Sequence, residues 1–462
     1  MIALMCGVLS AAQEQEEGVS ASDGSADETE AHVGTAANSD DSTVTIPASQ
    51  TPSASLTAIE EPDIGAVGGG RTFFNPGLRL QTTMENESGN LGDVKSRLRA
   101  VTHAFGTLAA QRVWRRYDLS LAYLGEGVYW TGNSRHNGQA HGLTTDQKVS
   151  WARGQLRLLD AFSYSPEAVF GGGAFGGASF ESLLPQILPG QLNNQLFGPV
   201  QFSGFGFANR ISNTALAEVQ ERLTMRSSVT AVLSYGLLHF LDQGNISSNQ
   251  YNFQFGYNYV LSSRSSLGIS AGGGLFRFKG LGHSFDTETV MLIYGRQITG
   301  PLSLNLGAGP QLTRMQSLPG MKPSWTSLAG LQYRRPRLEV GLRYQRFINN
   351  GSGITNGAQT DFVRATLNRP LGKRWAGSLN GGYARSKALE SAFTGHQSFG
   401  SFYSGLQITR QLSPTTGFFL TYQFDNRRSS NSICVLGQCG QRMQRHQLGI
   451  GFNWTPHPRQ ID

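Results

Sequence analysis

Between Tyr251 and Tyr259 the chain alternates strictly: Tyr251, Phe253, Phe255, Tyr257 and Tyr259 fall on one face of an extended strand, and Asn252, Gln254, Gly256 and Asn258 on the other. The same period of two returns at Leu302, Leu304, Leu306, Ala308 and Leu312, whose intervening positions are Ser303, Asn305, Gly307, Gly309 and Gln311. It returns again at Leu338, Val340, Leu342 and Tyr344, and at Phe418, Leu420, Tyr422 and Phe424. An alternating strand can also cover the core of a soluble sandwich. Length and turn spacing separate the two cases. These runs exceed the ~5–6 residues of an ordinary strand and reach the ~9–11 that a tilted membrane-crossing strand requires. Tight turns are expected near Met225, Ser262, Thr299, Arg335, Leu371 and Ser413, and longer polar joins at 241–248, 279–283, 316–323, 349–358, 388–397 and 428–440. Short turns at one end and long loops at the other are the layout of a transmembrane barrel.

The predicted fold is therefore all-β, a transmembrane antiparallel up-and-down β-barrel over residues 71–462. Strands are predicted from 77–86 at the start to 442–455 at the end, with 145–159 read as one continuous strand. Single-chain barrels of this kind have even strand numbers, so about 16–18 are expected, the uncertain member lying around Leu158 to Tyr164 or at Leu78. Composition agrees. Gly accounts for 58 of 462 residues, aromatics for 10% and charged residues for only 15%, with a mean hydropathy of −0.27. No uninterrupted apolar run is long enough for a membrane-spanning helix.

The first part of the chain is different. Residues 1–12 are apolar, with Ser10 and Ala12 placed as in a signal-peptide cleavage site, although no basic residue precedes them. Residues 13–70, rich in Ser, Ala, Thr, Asp and Glu, offer almost nothing to bury and are expected to form a disordered acidic periplasmic tail. No Lys or Arg occurs before Arg71, so all 38 basic residues of the chain lie in the barrel region, against 19 of its 31 acidic ones. That excess favours anionic partners, either lipopolysaccharide phosphates or acidic solutes. Nucleic acid is not expected, since no basic helical face or recognised nucleic-acid motif accompanies the charge.

The last strand, from Arg445 to Trp454, alternates Leu448, Ile450, Phe452 and Trp454. It resembles the C-terminal β-signal of bacterial outer-membrane proteins, in which an alternating apolar strand ends on an aromatic residue. Thr455 to Asp462 follow that aromatic, which is a departure from the pattern. The resemblance covers the architecture from about residue 77 and is closest in kind to large porin-type barrels. It implies an integral outer-membrane location, contact with outer-membrane lipid and lipopolysaccharide, and delivery by the barrel-assembly machinery; it supplies no solute.

The polar faces of the strands would line the lumen. There Arg337, Arg343, Arg364, Arg385 and Arg445 recur among Glu339, Gln345 and Asp425, a set that would lower the barrier to anions or be satisfied internally by its own carboxylates. Residues 165–213, with glycines between Gly171 and Gly177 and an apolar run from Leu183 to Pro189, are expected to fold into or across the mouth as a constriction or plug, or else to cap the surface. Cys434 and Cys439 are expected to close a small disulfide in an oxidising compartment; two sulfurs without a neighbouring His make a metal site improbable. The nine His residues share no motif, and neither a paired nucleophile and base nor a carboxylate dyad is recognisable, so neither enzyme activity nor a cofactor is expected. The functional expectation is a channel for small hydrophilic, conceivably anionic, solutes; a barrel for adhesion or envelope structure, or an outlet for exported polysaccharide, is the alternative. No residue identifies an oligomer contact.

Overall fold

The computed structural model describes residues 73–89, 97–131, 138–167, 207–242, 245–280, 284–316, 320–353, 355–389, 397–430 and 442–456, with the short segments 434–435, 438–439 and 459–460. The segments read as a signal peptide and acidic tail, and the Gly-rich and apolar runs between 171 and 189, lie outside the described residues.

Eighteen long strands form the wall. They are β1 (Phe73–Gly89), β2 (Arg97–Val113), β3 (Tyr117–Trp130), β4 (Gly138–Ser150), β5 (Gly154–Glu167), β6 (Phe207–Arg222), β7 (Ser227–Phe240), β8 (Ser248–Ser262) and β9 (Ser265–Phe278). The second half comprises β10 (Phe285–Gln297), β11 (Leu302–Met315), β12 (Met321–Arg335), β13 (Leu338–Asn349), β14 (Ala358–Pro370), β15 (Trp375–Ala388), β16 (Ser398–Ser413), β17 (Thr416–Ser429) and β18 (Arg442–Trp454). Each pairs antiparallel with its sequence neighbours, and β1 pairs with β18 from Leu78–Trp454 to Gly89–Met443, which shuts the sheet. Closure gives every long strand a paired neighbour on each side, sparing the sheet the open edge whose stranded amides would each cost several kcal/mol in lipid.

Side-chain direction follows the alternation and is inverted relative to a soluble protein. Leu233 and Phe255 are 64% and 57% exposed on the outer surface, while Asn252 and Gln254, one position away from Phe253, are 3% and 5% exposed inside. Such a surface is stable only in hydrocarbon, because at ~25 cal/mol per Å² a barrel-wide apolar belt would strongly disfavour contact with water. Aromatic residues mark the turn end of the belt. There Arg112, Arg335 and Arg410 lie over the rings of Trp114, Tyr333 and Trp375 at 4.7, 5.7 and 5.2 Å, holding cations at the level where lipid headgroups begin. The fold and its inverted surface place the protein in the bacterial outer membrane as an integral barrel.

The tight turns stand where expected, closed by bonds such as Leu371 N–H to the Trp375 carbonyl at 2.8 Å and Ile298 N–H to the Leu302 carbonyl at 2.9 Å. One expected strand is wrong. Residues 145–159 are not continuous: the chain reverses at Trp151–Arg153, where Trp151 N–H reaches the Gly154 carbonyl at 2.9 Å, and β4 and β5 run antiparallel on either side. No Pro, Asn or Asp announces that turn, so the alternation reads straight through it. The strand suspected around Leu158 to Tyr164 is thus β5, and the expected interruption at 165–213 is shorter than the sequence suggests, because β5 continues to Glu167 and β6 begins at Phe207.

Candidate functional site

Adjacent antiparallel strands place directly opposed residues on the same face. Following one such line across the inner wall from β13 to β1 gives Arg343, Arg364, Gly382, Tyr403, Asp425, Arg445 and Glu87, each the register partner of the next. The line has two characters. At the β17–β1 end charges alternate: Arg445 Nε lies 3.8 Å from Asp425 Oδ2, which also accepts a hydrogen bond from Gln423 Nε2 at 2.9 Å. At the β13–β14 end two guanidinium groups stand side by side. Like charges directly opposed across strands are destabilising unless something offsets them.

The local sequence builds this end. Gly382 has no side chain, and the Tyr403 ring fills its place; a Cβ at Gly382 would sit within 2.4 Å of that ring. The ring thereby leans from β16 toward Arg364 on β14. On the other flank, Gly330 is the register partner of Arg343, and a Cβ there would meet nothing nearer than 3.6 Å. The Arg343–Arg364 pair therefore lies between a tyrosine ring and an open glycine gap. No carboxylate pairs with Arg343 among the described residues.

The remaining lumen is asymmetric. Inward positions of β7–β11 are Ser, Thr, Asn, Gln, Gly and apolar residues without a formal charge, for example Thr230, Asn252, Gln254, Ser270 and Gln311. The inner wall of β1–β6 carries matched charges where Arg157 donates to both Asp146 oxygens at 2.8 and 2.7 Å, and a hydrogen bond of 2.7 Å joins His103 Nδ1 and Glu126. A neutral polar wall thus faces a charged one.

Of the residues expected to line the lumen, Arg343, Arg364, Arg445, Glu339, Gln345 and Asp425 point inward. Two do not. Arg337 occupies the exposed turn between β12 and β13, one position before the strand begins, and Arg385 is an outward residue of β15, on the same face as the exposed Leu379 and Tyr383. A residue count alone cannot place Arg385, because both faces of that strand carry polar residues near its loop end. Leu448, Ile450, Phe452 and Trp454 are all outward and exposed on β18, at the seam with β1. His446 is outward as well, with its Nδ1 3.0 Å from the Tyr422 hydroxyl.

A second element of the site was not recognised in the sequence beyond being a polar join. The β12–β13 ladder ends at Ser327–Arg346, although β12 continues to Met321, because the top of β13 parts from β12 while staying paired with β14 to Asn349–Ala358. The described residues 350–353 and 355–357 then lie inside the mouth, across from β9–β12, and reach β7 and β8. Ile246 N–H donates to the Gly353 carbonyl at 2.8 Å, and Asn350 Nδ2 donates to Ser248 Oγ at 3.1 Å. Gly351, Gly353 and Gly357 have φ of +72°, +79° and +89°, a region that side-chain-bearing residues avoid, and a Cβ on Gly353 or Gly357 would strike Phe240 or Phe285. Beneath the loop, Phe276, Phe285, Met315 and Ile348 form an apolar floor. The signal available in the sequence was the Asn-Asn-Gly-Ser-Gly run followed by Asn356-Gly357.

The backbones of Cys434 and Cys439 are register partners in a short hairpin, Cys434–Val435 against Gln438–Cys439. Among the described residues no group of His, Cys, Asp and Glu gathers to hold a metal ion.

No family model matches the chain, and no curated protein matches its sequence. Solved structures with a similar path include Acinetobacter baumannii OccAB4, with a TM-score of 0.44 and 9% identity over 84% of this chain and 99% of that one. They also include Pseudomonas aeruginosa OpdK with vanillate, with a TM-score of 0.43 and 12% identity over 83% of this chain and 99% of that one. By its own pairing, closure and inverted surface, the chain is a closed 18-strand transmembrane β-barrel of the outer-membrane type.

Proposed function

We propose that the protein is an outer-membrane diffusion channel for small hydrophilic solutes, in which anions are drawn to Arg343 and Arg364 on the inner wall. The observation that carries this reading is their direct opposition on the lumenal face, with no carboxylate against Arg343. In a confined, partly desolvated space a guanidinium pair attracts a carboxylate or phosphate more strongly than in water, and its planar donors match either group. The loop from Asn350 to Gly357 narrows the outer mouth, so solutes would pass between it and the charged wall. Refolded protein in planar bilayers tests this: discrete ohmic steps with anion preference are expected, and a membrane that stays silent at high protein density would sink it.

A barrel that transports nothing is the second reading. It is favoured by the depth at which Arg210 and Arg427 are buried inside, 1% and 2% exposed, as if part of the interior were packed solid. The silent membrane would support that reading.

Cys434 and Cys439 are proposed to form a disulfide, since opposed residues of a hairpin bring their Cα atoms within the ~4.4–6.8 Å that the bond requires. Alkylation of unfolded, unreduced protein isolated from the envelope is expected to label Cys434 and Cys439 only after reductant; labelling without reductant would refute the bond.

A further inference from the structure

Outward-facing cations gather in one sector of the outer rim. Arg385, Gly400, Arg428 and Arg442 are consecutive register partners across β15–β18, on the face that carries the membrane belt, and Lys387 follows two positions above Arg385. Arg385, Lys387, Arg428 and Arg442 are exposed. Farther along the same rim Arg346 is already engaged, with Asp361 at 3.3 Å and the Trp325 ring at 4.4 Å. The opposite sector, β9–β11, is balanced: Arg277 binds Asp286 at 2.6 Å, Arg314 is the register partner of that same Asp286, and Glu288 lies on the same outer face of β10. The rim charge is therefore concentrated, not spread.

Gly400 makes a notch in this row. Arg385 and Arg428 flank it, their backbones two strand spacings apart, roughly 10 Å. A Cβ at Gly400 would meet nothing nearer than the Tyr383 hydroxyl at 3.6 Å, with the Ala384 carbonyl and the Tyr383 ring at 3.9 Å, so the glycine leaves a shallow recess whose edge carries a hydroxyl. Directly below, toward the membrane centre, lie exposed Tyr383, Phe402, Leu379, Leu406 and Tyr422. Cations above, a hydroxyl at the edge and an apolar strip beneath reproduce the profile of a phosphorylated lipid: anionic head, then hydrocarbon.

We propose that the Gly400 notch, with Arg385 and Arg428 as its walls, seats a phosphate group of an outer-leaflet glycolipid whose acyl chains lie along the strip below it. The proposal is independent of whether the barrel conducts. A free anion would use the same guanidinium groups but would have no need of the strip.

The test uses the full chain refolded in mild detergent, with purified lipopolysaccharide as probe and native mass spectrometry as readout. Each basic residue near an anionic lipid surface contributes about a factor of 5, so Arg385→Gln with Arg428→Gln is expected to weaken retention about 30-fold. Gly400→Leu, which fills the notch and leaves both charges, is expected to weaken it as well, while Arg277→Gln with Arg314→Gln on the balanced sector retains the lipid as wild type does. Heat-modified gel mobility confirms that each variant is a closed barrel. Enzymatically dephosphorylated lipopolysaccharide should bind no better to wild type than the intact lipid binds to the double variant. Undiminished retention by the double variant, equal binding of the dephosphorylated lipid, or displacement of the lipid by millimolar inorganic phosphate would each overturn the assignment, the last by revealing a free-anion site.

Discussion

Replacing Arg343 and Arg364 together with glutamate is expected to turn an anion-preferring channel into a cation-preferring one, shifting the permeability ratio on the order of 10-fold. The change moves the local charge from strongly positive to strongly negative at positions that are opposed on the inner wall. Its neighbour gives it leverage: Gly330 beside Arg343 contributes no side chain that could screen that guanidinium. Arg385→Glu is the matched control. That residue lies on the outer face of the neighbouring strand, so the same change of sign should leave the ratio within about twofold, the barrel wall lying between it and the permeating ion. Reversal potentials in a salt gradient distinguish the two. Equal effects of the pair and of Arg385 would mean that selectivity arises from rim charge at large; no effect of the pair would remove these arginines from the conduction path.

Removing Gly351–Asn356, so that Asn350 joins Gly357 in a tight Asn-Gly turn, is expected to raise single-channel conductance about twofold, because the narrowest section sets the resistance. The loop is held by a backbone bond to Ile246 and a side-chain bond to Ser248, so its loss costs the barrel wall little: the ladders of β13 with β14 and of β7 with β8 survive intact. Removal would also uncover the Phe276, Phe285, Met315 and Ile348 floor. Unchanged conductance would mean that the loop does not lie at the narrowest section.

The alternation of β8, β11 and β18 was enough to predict long two-faced strands, and their outer and inner faces are those the pattern implies. Where alternation weakens, reading the chain fails in a physically intelligible way. Between Lys148 and Gln155 apolar and polar residues continue without a turn-forming residue before Gly154, and the reversal at Trp151–Arg153 is held instead by backbone bonds and by the Trp151 indole donating to Glu221 at 2.7 Å, a contact made with β6 and hence invisible locally. Arg337 and Arg385 fail for a related reason. A strand near its end leaves the membrane, both faces become wet, and a polar residue no longer marks the inner face.

Alternation along the chain already calls for a closed antiparallel barrel with lipid outside, since only that arrangement satisfies strands that are apolar on one side and polar on the other in a bilayer. It also located the short turns near Met225, Ser262, Thr299, Arg335, Leu371 and Ser413, though not the one at Trp151–Arg153. Tertiary structure decided which residues share a row: that Arg343 stands beside Arg364, that Arg385 and Arg428 flank Gly400, and that the loop after β13 turns inward to β7 and β8. Those facts depend on the register between strands, and register is a relation between distant segments that no local periodicity encodes.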